Sequence, residues 1–418
     1  MSAKSPPIID ATPTKEFFIS MLIRDIELSR AITDLIDNSV DGARRIRPNS
    51  VYNDLWIRLE ADSSHFSIAD NCGGIRLQEA KNYAFRFGRP SGSETLPHSI
   101  GKFGIGMKRA LFKLGTRFTI ESTTLLSRFS VNIDVNDWKE KPEWQFEFSE
   151  YSEEPQLSDN CGTTIRVTSL RQVISEEFAL ENYLNRLRLE IGAAHQTSMN
   201  EGLSISLNGI PVQFDIATVL QSEQIKPAFK KLIYPDLGKN PVTVLIYAGI
   251  SDSEPTKGGW SVLCNGRLVL DADKTSTTGW GEGNENMIPR YQNRFARFRG
   301  YVFFDCDDAG LLPWNTTKSG IDANSQVFRT VKREMISVTR PVIDFLNRLS
   351  GETKEETGDL QVAVDNAKPV ALAQATGSTV FKAPAVKQKG PKTVSILYEK
   401  PVIPVSYTHL TLPTILRV

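Results

Sequence analysis

The sequence predicts an α+β protein, on three observations. Residues 28–41 carry an amphipathic helical pattern, with Leu28, Ala31, Ile32 and Leu35 making an apolar stripe. Residues 55–60 and 65–69 each alternate apolar with polar positions and read as paired strands. Residues 259–270 read as two strands around Asn265-Gly266, a strong hairpin signal. A length of 418 residues allows two or three domains, and a 40% hydrophobic fraction is ample for buried cores.

The first element carries chemistry beside its apolar stripe. Asp34, Asn38 and Asp41 lie at i, i+4 and i+7, within about 60° of one another on a helix. The oxygens of such a row suit a hard cation such as magnesium, which prefers carboxylates, amide carbonyls and water. The plainer reading is an amphipathic helix whose polar residues face water. The second element ends in Asp70, followed by Gly73-Gly74, where the backbone turns tightly. A carboxylate at a strand end before glycines suits a ligand that approaches the main chain; a simple Asp-Asn-Gly turn reads equally well. The third is Gly101-Lys102-Phe103-Gly104-Ile105-Gly106-Met107-Lys108, leading into a helical run through Leu114. Glycines free backbone N–H groups to wrap an anion, and a helix N-terminus adds partial positive charge. The segment is neither a Walker loop nor a dinucleotide fingerprint, because the required ending and glycine spacing are absent. A flexible loop capping a helix is its alternative.

In this order and spacing, the three segments resemble the GHKL ATPases, the superfamily of gyrase, the ninety-kilodalton chaperone, histidine kinases and MutL. A fourth element, Gly162-Thr163-Thr164-Ile165-Arg166-Val167, resembles the Gly-Thr strand that closes their adenine pocket. The resemblance covers about residues 15–198 and implies a Bergerat-type α/β sandwich, a mixed or antiparallel sheet covered by helices. It implies ATP and Mg²⁺ as ligands. Asn38 is then the metal-coordinating residue, and Asp70 accepts a hydrogen bond from the adenine amino group with help from Thr163. Gly74 lets the base lie against the backbone. Gly101, Gly104 and Gly106, with the intervening Phe103 and Ile105 amides, cradle the phosphates in a mobile lid. Lys102 and Lys108 add charge there or are solvated surface lysines. Asp41 matches the acid that follows the metal-binding Asn, and its implied role is to hold the helix and loop in place.

One departure falls on the same helix. The hydrolytic branches carry Glu four residues before the metal-binding Asn, and this chain has Asp34. A general base must come within about 3 Å of the proton it takes, or reach it through one water. Aspartate is a methylene shorter. Asp34 is therefore the candidate base of a slow ATPase. The alternative is a nucleotide-binding regulatory or interaction module with little turnover.

Downstream, residues 203–214 and 241–250 read as strands, Leu312 to Asp322 as a polar loop with one lysine, and 325–349 as helix. This layout resembles the transducer domain that follows the ATPase domain in gyrase, MutL and MORC proteins. The resemblance makes Lys318 the candidate that reaches the γ-phosphate, and it implies ATP-dependent closure of a homodimer. The expected organisation is an N-terminal arm (1–14), the ATP-binding domain (15–198), an α/β transducer-like domain (199–350), a linker (351–392) and a C-terminal segment (393–418). The ending from Ser406 resembles a spurious translation of adapter sequence, so the natural C-terminal region is expected to be missing.

Composition bounds the partners. Lysine plus arginine number 49 and aspartate plus glutamate 49, so net charge gives no global pull toward nucleic acid. The local exception is Arg290 to Arg299, with four arginines among three aromatics, which suits phosphate contact, base stacking or a structural role. A protein client or partner fits a switch of this kind. The four cysteines lie far apart and lack zinc-site spacing. No apolar run is long enough to cross a bilayer, so a soluble cytoplasmic protein is expected, with no membrane partner.

Overall fold

Local sequence signals start the fold. In the computed structural model, Thr14 caps helix α1 (Lys15–Arg24) by accepting a hydrogen bond from the Phe17 N–H at 3.3 Å. Helix α2 (Leu28–Ile46) buries Leu28, Ala31, Ile32, Leu35, Ile36, Val40 and Ala43, the stripe read from the sequence and its continuation. Its last turn carries Arg44 and Arg45, which complement the negative end of the helix dipole. The structure describes residues 9, 11–48, 51–88, 97–101, 104–235, 240–282, 288–352 and 358–385. Lys102, Phe103 and the C-terminal segment 393–418 therefore lie outside the described residues. Met1–Pro384 forms one unit and Ala385–Val418 another, of which only Ala385 is described.

Strands β1 (Trp56–Ala61) and β2 (Phe66–Asp70) pair antiparallel as expected. A short helix α3 (Leu77–Glu79), helix α4 (Gly106–Leu114), strands β3 (Gly115–Thr124) and β4 (Ser127–Asp134), helix α5 (Val135–Glu140), and strands β5 (Glu150–Ser152) and β6 (Gly162–Leu170) follow. Helices α6 (Gln172–Phe178) and α7 (Glu181–Asn200) precede β7 (Ser204–Leu207) and β8 (Ile210–Pro211). These eight strands form one mixed sheet in the order β5-β4-β3-β6-β2-β1-β7-β8, parallel only between β1 and β7 among its described pairs. Helices α2, α4 and α7 pack together beside it.

The boundary expected at residue 199 shifts. Strands β7 and β8 belong to the first sheet, because Ile205 and Leu207 alternate inward and align with Ile57 and Leu59 of β1.

A second sheet contains β10 (Ala228–Tyr234), β11 (Val242–Ile250), β12 (Gly259–Cys264), β13 (Arg267–Asp273) and β14 (Phe298–Asp305); β9 (Thr218–Gln221) precedes it. Its order is β10-β11-β14-β12-β13. The β12–β13 turn places Asn265 at φ 46° and Gly266 at φ 74°, the paired positive angles of a two-residue hairpin. Helix α8 (Gln326–Ser350) starts at a Ser325 cap and covers β11 and β14.

The linker expected at 351–392 is ordered over much of its length. Helix α9 (Asp359–Asp365) buries Leu360, Ala363 and Val364, a helical spacing hidden in polar composition. Strand β15 (Lys368–Ala371) pairs with β9, and Phe381 packs on Phe345 of α8 with ring centroids 5.6 Å apart. Buried residues of both sheets and these C-terminal elements join in one hydrophobic core.

Candidate functional site

Helix α2 sets the site, because it presents polar side chains at three successive turns. Asp41 is nearest its C-terminal end. Its carboxylate accepts hydrogen bonds from the Ile100 N–H at 2.8 Å and the Gly101 N–H at 2.7 Å. It thereby ties the start of the glycine segment to the helix. Burial pushes the Asp41 carboxyl up, against the opposing pull of Arg44 and those two N–H groups. One turn earlier, Asn38 is exposed and donates its Nδ2 to the Asp34 carbonyl at 3.1 Å. Its Oδ1 faces Gly101, where an added Cβ would lie only 3.3 Å away.

Asp34 is 3% exposed and carries two cations. Arg109 of α4 meets its Oδ2 at 2.6 Å, and Lys318 Nζ lies 3.3 Å from its Oδ1. Asp34 Oδ2 would also be 3.2 Å from a Cβ placed on Gly106. The first turn of α4 and the Lys318 loop therefore both meet the same turn of α2. Lys318 is 5% exposed and reaches Asp37 Oδ2 at 2.6 Å. Burial alone would lower its pKa, but the Asp37 and Asp34 carboxylates outweigh burial and raise it.

The strand end behaves as a polar corner. Asp70 aligns with Thr163 across the β2–β6 ladder, and the Thr163 N–H points to its Oδ1 at 3.3 Å. Ser39 of α2 donates to Asp70 Oδ2 at 2.7 Å, and the Cys72 N–H to Oδ1 at 2.8 Å. Burial pushes the Asp70 carboxyl up, and these bonds only partly offset it. Thr163 Oγ1 in turn shares a hydrogen bond with Ser122 at 3.0 Å. Gly74 has φ 68°, and an added Cβ would sit 2.1 Å from the Thr123 carbonyl, so glycine is required there.

In the glycine segment, Gly104 has φ 63° and Gly106 opens α4 after Ile105. Lys108 is not a solvated lysine: it is buried, and its Nζ donates to the Ala84 carbonyl at 2.8 Å and to the Gly104 carbonyl. It braces the loop from beneath. Lys102 and Phe103 are not described.

Sequence reasoning missed four side chains. Asp37 is completely buried among Lys318, Arg267 of β13 (3.0 Å) and His195 of α7 (3.8 Å). Its signal was available, since it stands one turn from Asp34 and beside Asn38. Arg109, Arg267 and His195 gave no spacing signal, because each reaches α2 only through the tertiary fold. Arg299, from the arginine-rich segment, is buried and donates to the Ala296, Phe298 and Asp252 carbonyls, which makes it structural. A cleft of about 580 Å³ lies elsewhere, between the α1–α2 turn and helices α6 and α7, and none of these site residues lines it.

A helix bearing a polar row, an Asp–Thr strand corner and a glycine segment opening a helix stand together against one mixed sheet of an α/β sandwich. Residues 26–164 match the family described as Histidine kinase-, DNA gyrase B-, and HSP90-like ATPase. That segment is a GHKL-type ATPase domain, of the class that binds and hydrolyses ATP. No curated protein matches the sequence. Among the described residues, no helix is long and apolar enough to cross a membrane.

Proposed function

We propose that this chain binds ATP with Mg²⁺ and hydrolyses it slowly, and that the cycle drives closure of a cytoplasmic homodimer. The observation that carries this reading is the Lys318 side chain. It comes from the loop after the second sheet and lies on α2, one turn from Asn38. The position of the second sheet is thereby linked to whatever occupies the first.

The residues fit the expected ligands. Asn38 commits its Nδ2 to the helix backbone, and its Oδ1 turns toward the glycine segment. A hard oxygen in that place suits Mg²⁺. Among the described residues, no cluster of three His, Cys, Asp or Glu could hold a metal alone, so phosphate and water would complete the shell. When bound, Mg²⁺ would neutralise charge building on the phosphates. Asp70 is the acceptor for the adenine amino group, with Thr163 beside it; Gly74, expected to let the base lie on the backbone, instead lets the chain pack against the Thr123 carbonyl next to them. Gly101, Gly104, Ile105, Gly106 and the undescribed Lys102 and Phe103 are the phosphate cradle, which Asp41 and Lys108 brace. Arg109, Lys318 and Arg267 set three positive charges against the two of Asp34 and Asp37, an excess of one that favours a polyanion.

Asp34 is the general base in this account. It would orient and deprotonate the attacking water once its cationic partners turn to the phosphates. The Arg109 ion pair also favours a second reading, nucleotide binding with little turnover, since a carboxylate held by a guanidinium is a poor base. Calorimetric titration with ATP, with and without Mg²⁺, tests the assignment. Native protein should bind more tightly with Mg²⁺, and Asn38→Ala should lose that difference. No ATP binding by native protein overturns the proposal. Light scattering with a non-hydrolysable ATP analogue should show a doubling of mass; a persistent monomer overturns the dimer.

A further inference from the structure

Asp37 takes no part in the nucleotide chemistry proposed above, yet three ionisable side chains from three separate elements converge on it. Lys318 Nζ lies at 2.6 Å, Arg267 Nε at 3.0 Å and His195 Nε2 at 3.8 Å. All four residues are at most 5% exposed. The convergence is uneven. Asp37 Oδ2 accepts a hydrogen bond from Lys318, whereas Oδ1, Arg267 Nε and His195 Nε2 have no hydrogen-bond partner among the described residues. Lys318 is thus the directional partner of Asp37, and Arg267 contributes charge without an aligned bond.

The loop is built to deliver that ammonium. Lys318 has φ 50°, a left-handed conformation that non-glycine residues keep only where the surroundings over-determine it. The Lys318 N–H donates to the Asn315 carbonyl and the Ser319 N–H to Asn315 Oδ1, each at 3.0 Å. Asn315 N–H closes the loop on the Gly320 carbonyl at 3.0 Å, and buried Trp314 bridges to Ile321.

We propose that Asp37 is a positioning residue, the nearer of the two resting acceptors of Lys318 (2.6 Å against 3.3 Å for Asp34), which competes with the terminal phosphate of a nucleoside triphosphate for the same ammonium. The competition rests on the ATP-binding reading; the docking of the loop does not. One point charge cannot fully serve a buried carboxylate and a phosphate together. A ligand shifts such an equilibrium only by its differential interaction with the two arrangements. In that reading the terminal phosphate is the group that draws the lysine, and a diphosphate lacks it, so Asp37 would set the discrimination between them.

Asp37→Asn, close in shape but uncharged, is the test. Without nucleotide, amide exchange in residues 312–322 should quicken tenfold or more while α2 is unchanged; unchanged loop exchange overturns the proposal. With nucleotide, the variant should bind ATP several-fold more tightly and ADP as before. That gain should vanish in the double variant with Lys318→Met. Equal weakening for ATP and ADP marks a purely structural carboxylate and overturns the proposal. If native protein binds neither nucleotide, the competition and the ATP reading fall together, whereas the exchange result still decides whether Asp37 docks the loop. Should Asp37→Asn not fold, Lys318→Met alone must quicken loop exchange to the same degree, and failure to do so overturns the docking.

Discussion

At the scale of the residue, Asp34 is the proposed general base, and the proposal of ATP turnover stands or falls with it. Its carboxylate is buried against Arg109 and Lys318, an arrangement that serves both as an anchor and as a masked base. Asp34→Asn should bind ATP with little change and lose turnover by at least about a hundredfold, the usual weight of general acid–base catalysis. Unchanged phosphate release would remove Asp34 from the mechanism. Gly74→Ala forces a Cβ to 2.1 Å from a carbonyl at positive φ, so it should lower stability by more than about 1 kcal/mol and weaken ATP binding. Thermal melts and titration read the two effects. His195 gives a pH dependence. Burial, then Arg267, holds its imidazole down to about 3 against an ordinary 6.5. The unfolded chain therefore binds more protons between those values, and stability falls as pH drops from 6.5 toward 3. Lys318, Arg267 and His195 together overcome the burial of Asp37 and hold it at about 2, so Asp37 adds a loss in the same direction below its ordinary 3.8. Urea unfolding at about pH 4.5 and 7.5 should show the His195 part of this loss, and His195→Gln should show less of it. The row Asp34, Asn38, Asp41 was legible because a helix fixes its own neighbours. Arg109 and His195 were not, because their places depend on how α4 and α7 pack.

At the scale of the element, the β12–β13 hairpin does more than close a sheet. Asn265 is buried, donates Nδ2 to the Ser99 carbonyl at 3.2 Å and the Cys306 carbonyl at 3.0 Å, and accepts from the Cys306 N–H at 3.0 Å. Its own carbonyl accepts from Arg44 of α2 at 2.7 Å. A turn residue of the second sheet thus grips the segment leading into Gly101. Asn265→Ala leaves those polar groups unpaired at φ 46°, so it should cost about 1–3 kcal/mol and loosen residues 97–101 in amide exchange. The Asn-Gly signal gave the hairpin directly, since both residues must adopt positive φ. Its grip on Ser99 had no local signature. Helix α9 and β15 were hidden for the opposite reason. Their apolar positions are few, and only long-range partners make them sufficient: β15 pairs with β9, and Leu360, Ala363 and Val364 of α9 join the common core.

At the scale of the whole molecule, two sheets share one charged junction under α2. Lys318 and Arg267 enter it from the second half, and Asp34, Asp37 and Arg109 from the first. Single strands of each sheet, such as β1, β2, β11 and the β12–β13 hairpin, were legible because alternation and turn residues are local, and the ATPase segment was legible through its resemblance. The sequence grouped the strand read at 203–214 with the second half, whereas β7 and β8 join the first sheet, because pairing with β1 is a long-range choice. Such a junction fits a switch in which phosphate and carboxylates compete for the same cations. Phosphate release from ATP by the purified chain, with Mg²⁺ present and beside Asn38→Ala, tests this account most directly. Slow, Mg²⁺-dependent release by native protein and none by the variant is the predicted result; equal release by both, or ATP bound with no release by native protein, would contradict it.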